Sequence, residues 1–351
     1  MLETRGASMS CIKNINRFLI PNDVIVILGQ IYRYIGNSKQ YAEVVGTDQE
    51  RVVEQTVERD AYFLGSILKL DISDVRSRLI ITKDSSPRNK EETTLYNLKD
   101  ILMTLQKRPN QFGIQSNDIL NIVNFVFSHA NTPIRFDYTS TDKKSILQSQ
   151  NMKSKRLIID EITEEISHLL QSNSFEKITL YLHYFIDFYN IKPFTAQNEL
   201  ASLLLLYLLM IKTEVKAFQY VSFFQLINED YHNFQTELMN ACFNWQEGYS
   251  QSLGFVRYME KLILKGYAKT EEIIKNYKFD QNLNKIENIE RTIGNMNEIF
   301  TKEEIRGIHP YVSESTINRA LINLRDTGYI KPIGKGRSAK WMKIPRGYHN
   351  D

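Results

Sequence analysis

Apolar residues recur three and four positions apart along most of this chain, the spacing of a helix with one buried face. Val24, Ile25, Ile27, Leu28, Ile31 and Ile35 follow a Pro21-Asn22-Asp23 stop and cap, and Gly36-Asn37 closes the run, which predicts a helix between those signals. The same spacing predicts helices over Thr47–Leu70, Asn89–Leu105, Asn117–His129 (capped by Ser116), Leu157–Gln171, Phe175–Asn190, Tyr231–Asn244 and Tyr249–Lys265. Thr82 to Arg88 is a loop by composition. Asn131 to Lys155 is polar and lacks a helical period.

One stretch departs from the two-faced pattern. Between Leu200 and Met210 the only polar side chain is Ser202. Gly and Pro are absent from it, and leucine favours helix. The run is about 11 residues, well short of the ~20 needed to span a bilayer, so it predicts a helix buried on every side at the centre of a helical domain. Pro193 disfavours the α conformation for Lys192 and should stop the preceding helix there.

Composition narrows the classes. The chain has 351 residues, 42% of them hydrophobic and 11% aromatic, enough for one large core and a smaller second unit. Net charge is only +3, which names no partner by itself. The excess is local: from Thr301 to Asp351 ten Lys and Arg face five Asp and Glu, and the whole-chain 44 and 41 leave 34 and 36 for the rest. Cys11 and Cys242 match no metal or redox spacing, and the six histidines form no ligand pair, so no metal site is expected. His183, on a predicted helix, reads as a core histidine with one hydrogen bond before it reads as a catalytic group. Residues 1–20 are expected to be a disordered leader without an apolar targeting core, and the protein is expected to be cytoplasmic, with no membrane partner.

The turn before the apolar helix carries chemistry. Lys192, Pro193, Phe194, Gln197, Asn198, Glu199, Leu200 and Leu203 stand in register with His-Pro-Phe-x-x-Gly-Asn-Gly-Arg-x-x-Arg. That motif opens the central helix of the Fic (Fido) family of protein adenylyltransferases, which this stretch resembles. Pro, Phe and Asn are kept; the rest are not. The resemblance implies that the motif His is a general base, that the Gly-Asn-Gly turn is a nest of N–H groups for ATP phosphates, and that the two Arg hold those phosphates. A lysine ammonium at neutral pH has no lone pair with which to accept a proton. Glu199 puts a carboxylate where a phosphate belongs, a placement that a helix N-terminus itself favours by ~0.3–1 kcal/mol. Leu200 and Leu203 offer neither charge nor donor. No catalytic residue and no cofactor are therefore expected; ATP and Mg2+ belong only to the alternative, a divergent enzyme transferring AMP or another phosphate-containing group to a protein hydroxyl.

Further resemblances extend along the chain. The family's inhibitory helix ends in Ser/Thr-x-x-x-Glu-Gly; aligned here, the Ser falls on Leu64 and the Glu on Leu68. In that alignment the inhibitory Glu and its Arg partner are both leucine, Leu68 and Leu203, and a contact between them is expected. Replacing both members of a buried ion pair by apolar groups can be neutral, whereas removing one costs ~3–5 kcal/mol. Ile134 to Tyr138 alternates, with Thr139 to Asp142 as a turn: a small β-hairpin flap of the kind that guides targets in the family, or a surface loop.

The C-terminal part follows a second plan. Ile286, Ile289 and Ile293 mark one helix, Thr301-Lys302-Glu303-Glu304 a capped start of another, and Ser313 to Leu324 a third. Gly328-Tyr329-Ile330 begins a strand, Gly334 to Arg337 a basic turn, and Ala339 to Ile344 a return strand. This resembles a winged helix-turn-helix. The resemblance implies that Ser313, Ser315, Thr316, Asn318 and Arg319 approach DNA from the third helix, and Lys335, Arg337 and Lys340 from the wing.

The expected architecture is mainly α: leader 1–20, Fic-like helical region 21–130, Fic-like core 131–270, linker 271–284 and winged helix-turn-helix 285–351. The expected function is a catalytically degenerate Fic-like regulator that binds double-stranded DNA, or else a protein partner or a second copy of itself, through that last unit.

Overall fold

The computed structural model describes residues 10–138, 154–280, 285–334 and 340–344. Its first helix, α1 (Asn22–Asn37), starts one residue after Pro21 and buries Val24, Leu28 and Ile31. A short helix, α2 (Lys39–Val45), follows, and then α3 (Gln49–Ile67), whose stripe of Val53, Val57, Ala61 and Leu64 is buried. Next come α4 (Asp74–Lys83), α5 (Lys90–Lys107) and α6 (Ser116–Val126). The Ser73 and Asn89 side chains cap α4 and α5 by accepting the N–H groups of Arg76 and Glu92. At α6 the cap is Gln115 with Asp118, so Ser116 is the first helical residue and not its cap.

Two long helices, α7 (Lys155–Gln171) and α8 (Lys177–Ile191), lead to the central one, α9 (Asn198–Lys212). Every residue of α9 from Leu200 to Met210 is buried, as a helix apolar on all sides requires. It packs against α8 and α6, and Tyr207 stacks on Phe224 at the start of α10 (Phe223–Glu229), which is followed by α11 (Tyr231–Cys242) and α12 (Leu253–Asp280). Buried carboxylates stitch these layers. Asp60 of α3 accepts from Ser222 Oγ at 2.7 Å, Phe224 N at 2.9 Å and Tyr207 Oη at 3.1 Å. Its burial pushes the carboxyl up to about 7, against the pull of those donors.

The leader expectation fails for residues 10–20. Asp187, in the middle of α8, accepts from Ser10 Oγ (2.7 Å), Cys11 N (2.6 Å), Ile12 N (3.1 Å) and Trp245 Nε1 (2.7 Å). Cys11, Ile12 and Ile15 are buried. A buried carboxylate must find donors, and the N-terminal turn supplies most of them.

The remaining described residues form a smaller unit: α13 (Lys285–Asn295), β1 (Ile299–Phe300), α14 (Lys302–Ile308), α15 (Glu314–Asp326), β2 (Ile330–Ile333) and β3 (Lys340–Lys343). The strands make an antiparallel sheet in the order β1-β3-β2, with Phe300 opposite Trp341 and Ile330 opposite Lys343. Residues 271–280, placed in a linker by sequence, continue α12 as a connecting helix. Ile273, Ile274 and Tyr277 are buried there, and the Tyr277 ring meets that of Tyr311 edge-on at 4.6 Å. Ion pairs also cross between the units: Glu58–Arg306 at 3.1 Å, Arg78–Glu303 at 2.9 Å and Lys83–Glu314 at 3.1 Å. No helix among the described residues is long and apolar enough to cross a membrane.

Candidate functional site

The turn between α8 and α9 takes its shape from three residues. Lys192 ends α8 in the left-handed region at φ 49°, and Gln197 precedes α9 at φ 58°. Between them Pro193 and Phe194 are buried, and the Phe194 ring lies edge-on to Phe188 at 5.9 Å. Asn198 ties the turn to the helix. Its Oδ1 accepts the Phe194 N–H at 3.0 Å, and its Nδ2 donates to the Phe194 carbonyl at 2.7 Å. The amide is thus spent on the loop's own backbone.

The neighbouring positions close the helix mouth. Leu200 and Leu203 are 1% and 5% exposed. Glu199 is exposed in the first turn of α9, and its charge adds to burial in raising the hydroxyls of Tyr189 and Tyr231. The space left is a cavity of about 90 Å3, bounded by Phe185, Tyr189, Glu199, Leu203, Tyr231 and Leu238 among others. Ligand pockets run to roughly 300–1,000 Å3. This cavity is smaller than that range, its lining is largely apolar, and the Glu199 carboxylate stands at its edge in the first turn of α9. No step through ATP or a metal follows from these residues.

The edge of the loop is also occupied. Asp137 N donates to the Pro193 carbonyl (2.8 Å) and Thr195 N to the Arg135 carbonyl (2.9 Å), around an antiparallel bridge between Phe136 and Phe194. The alternating segment Ile134 to Tyr138 therefore lies against the turn through one isolated β-bridge; its expected hairpin turn, Thr139 to Asp142, lies outside the described residues. Leu64 is buried in the α3 stripe, and Leu68 caps the end of that helix, half-buried.

His183 is fully committed. Its Nδ1–H donates to the Thr179 carbonyl at 2.8 Å, and Nε2 accepts from Ser252 Oγ at 2.9 Å. Burial depresses it to about 4, so the ring is neutral and structural.

In the C-terminal unit, Ser313 caps α15, accepting the Thr316 N–H at 3.1 Å, and its hydroxyl also meets those of Ser315 and Thr316. Thr316 and Asn318 are half-buried; Ser315, Arg319 and Lys340 are exposed. Lys335 and Arg337 lie outside the described residues. Sequence reading passed over Arg59, a charged residue on α3 beside the inter-unit ion pairs. Its signal was faint: a charge next to an apolar stripe, with its neighbours far away in the chain.

A buried central helix opened by a Pro-Phe turn inside a helical body is the Fic fold, and this chain has that fold. Among solved structures it is similar to a Fic family protein from Desulfovibrio desulfuricans G20, with a TM-score of 0.53 and 12% identity, covering 94% of this chain and 98% of that one. It is similar also to a Fic domain containing signaling protein from Bacteroides thetaiotaomicron VPI-5482, with a TM-score of 0.54 and 10% identity over 71% of this chain and 98% of that one. At such identities the likeness is one of fold. No protein-family model matches the chain, and no curated protein matches its sequence.

Proposed function

We propose that this chain is a Fic-fold protein without nucleotide transfer, a regulator that binds double-stranded DNA through a C-terminal winged helix-turn-helix. The first half of the reading is carried by the turn at Asn198. The residue that could have met a phosphate or metal has both ends of its amide on Phe194, and hydrocarbon fills the arginine positions. The second half is supported by the order of α13, β1, α14, α15, β2 and β3 with a three-stranded antiparallel sheet. In that plan α15 is the groove helix, with Ser315 and Arg319 exposed on it and Lys340 exposed at the start of β3. The local basic excess suits a phosphate footprint.

The test is binding of an arbitrary duplex measured against salt. Phosphate contacts release counterions, so log K should fall linearly with log salt, and Arg319→Ala should weaken binding to all sequences. No binding at low salt would defeat the nucleic-acid reading.

One observation favours a protein partner instead. Ile322, Tyr329 and Ile333 on the same unit are 45%, 43% and 40% exposed. Under that reading light scattering shows a dimer or a complex that Ile322→Asp disperses, and duplex DNA has no effect.

A further inference from the structure

A second cavity shares no lining residue with the one at the α9 turn. It measures about 640 Å3 and sits between the helical body and the C-terminal unit. The body contributes Arg59 and Tyr62 of α3, Arg78 of α4 and Ile273 of α12; the C-terminal unit contributes Met296 and Arg306. That volume is within the range of small-molecule sites.

Its wall carries four cationic and four anionic side chains, and every cation but Arg59 is in an ion pair. Glu58 is taken by Arg306 at 3.1 Å, and Glu303 by Arg78 at 2.9 Å and Arg306 at 3.2 Å. Arg59 has no hydrogen-bond or ion-pair partner among the described residues, and its Nη2 is closed off from solvent. The other charged groups of the lining do not answer it: Lys269 pairs with Glu229 at 3.1 Å, Glu304 accepts the Thr301 N–H at 2.7 Å, and Glu272 is exposed. Burial lowers Arg59 to about 10, which leaves it charged at neutral pH. Arg59 as a whole is half-buried and feels the nearby carboxylates of Glu303 and Glu58, but an enclosed guanidinium nitrogen without a hydrogen bond is costly and rare in natural proteins.

The guanidinium lies flat against Gly307 of α14, with its Nη1, Nη2 and Cζ atoms 3.7–3.9 Å from where a Cβ would stand. Arg59 is thereby placed at the seam, where a ligand would touch both units at once. Tyr62, Phe63, Ile81 and Met296 supply apolar and aromatic surface to the same lining.

We propose that this cleft is a binding site for a small organic anion, a carboxylate or phosphate head seated on Arg59 with an apolar or aromatic body against Tyr62, Phe63 and Met296. An arginine fork matches both heads, and each pairing is stronger than a neutral hydrogen bond. Because the wall is shared, occupancy favours the seating of the C-terminal unit on the body, by the mass action that any ligand exerts on the state it binds. The site is independent of the nucleic-acid reading: it stands whether or not α15 meets DNA.

The experiment is a ligand-observed NMR titration of the full chain with benzoate, phenyl phosphate and, as the uncharged control, benzamide, at matched ionic strength. Benzoate or phenyl phosphate should bind saturably, and the two arms tell a carboxylate site from a phosphate site. Benzamide should bind at least about tenfold more weakly. Arg59→Met should reduce anion binding about tenfold or more, the loss expected for one charge-assisted contact. Met296→Trp, which fills the apolar side, should reduce it as well, and it carries the test if Arg59→Met does not fold. Equal binding of benzoate and benzamide, unchanged anion binding in both variants, or no binding of either anion would each overturn the site.

Discussion

Asn198 and Phe194 form a closed pair: one amide side chain satisfies both backbone groups of a residue four positions earlier, at 3.0 and 2.7 Å. Pro193, Phe194 and Asn198, the motif residues that persist, are the ones that build the turn. Asn198→Ala should therefore destabilise the protein by about 1–3 kcal/mol, the range for leaving a donor and an acceptor unpaired, read as a lower urea midpoint. Asn198→Asp keeps the acceptor and should fall between. If Asn198 served a ligand instead, its removal would leave the unliganded protein's midpoint unchanged.

Gln197 holds a left-handed backbone with φ 58°, where an L side chain costs about 1–2 kcal/mol. Glycine removes that strain but adds roughly 0.5–1 kcal/mol of unfolded-state entropy. Gln197→Gly should thus be neutral to stabilising, by up to about 1 kcal/mol, in the same urea assay. A clear loss would mean that the Gln197 side chain makes a contact the turn depends on.

Asp187 gathers four donors in the core, two of them backbone groups of the N-terminal turn and one the Trp245 indole. Asp187→Ala would strand all of them, and about 3–5 kcal/mol should be lost, the scale for breaking a buried charged network. Unfolding followed by tryptophan fluorescence should show the early release of Trp245, which is buried in the native protein.

Glu260 of α12 is buried, and neither of its carboxyl oxygens has a partner among the described residues. Burial, helped by the carboxylates of Glu176 and Asp23 and opposed by Arg257, raises it from 4.5 to about 8. The folded chain thus keeps a proton that the unfolded chain has released. Its contribution to stability is complete below about pH 4.5 and is lost as pH climbs to about 8, with a slope of up to about 1.4 kcal/mol per pH unit. Glu260→Gln removes that slope, so its stability relative to the parent should rise through this window and level off above it. A flat difference across the window would show that Glu260 titrates as an ordinary carboxylate.

The central helix was legible because its pattern needs no partner to interpret: a run of leucines without a polar face can only be interior. The turn before it was legible for a similar reason, since its chemistry is local to residues 192–203. Short elements were not. The strand β1 has two residues, and α2 and α10 have seven each, too few for a period to emerge. In α4, Val75 is exposed while Ile80 and Ile81 are buried, so no clean stripe marks it. The N-terminal anchor escaped because Asp187 lies 177 positions from Ser10, and nothing near either residue announces the other. The cleft escaped for the same reason: Glu58 and Arg306 meet across a separation of 248.

The proposal that this chain transfers no nucleotide is tested most directly by incubating the full chain with Mg2+, a cell lysate and ATP radiolabelled in its α-phosphate, and then looking for label on protein. A mouth filled by Leu200 and Leu203 behind the Glu199 carboxylate should give no labelled band beyond those formed without the chain. A labelled hydroxyl on any protein, lost in Lys192→Ala, would contradict it.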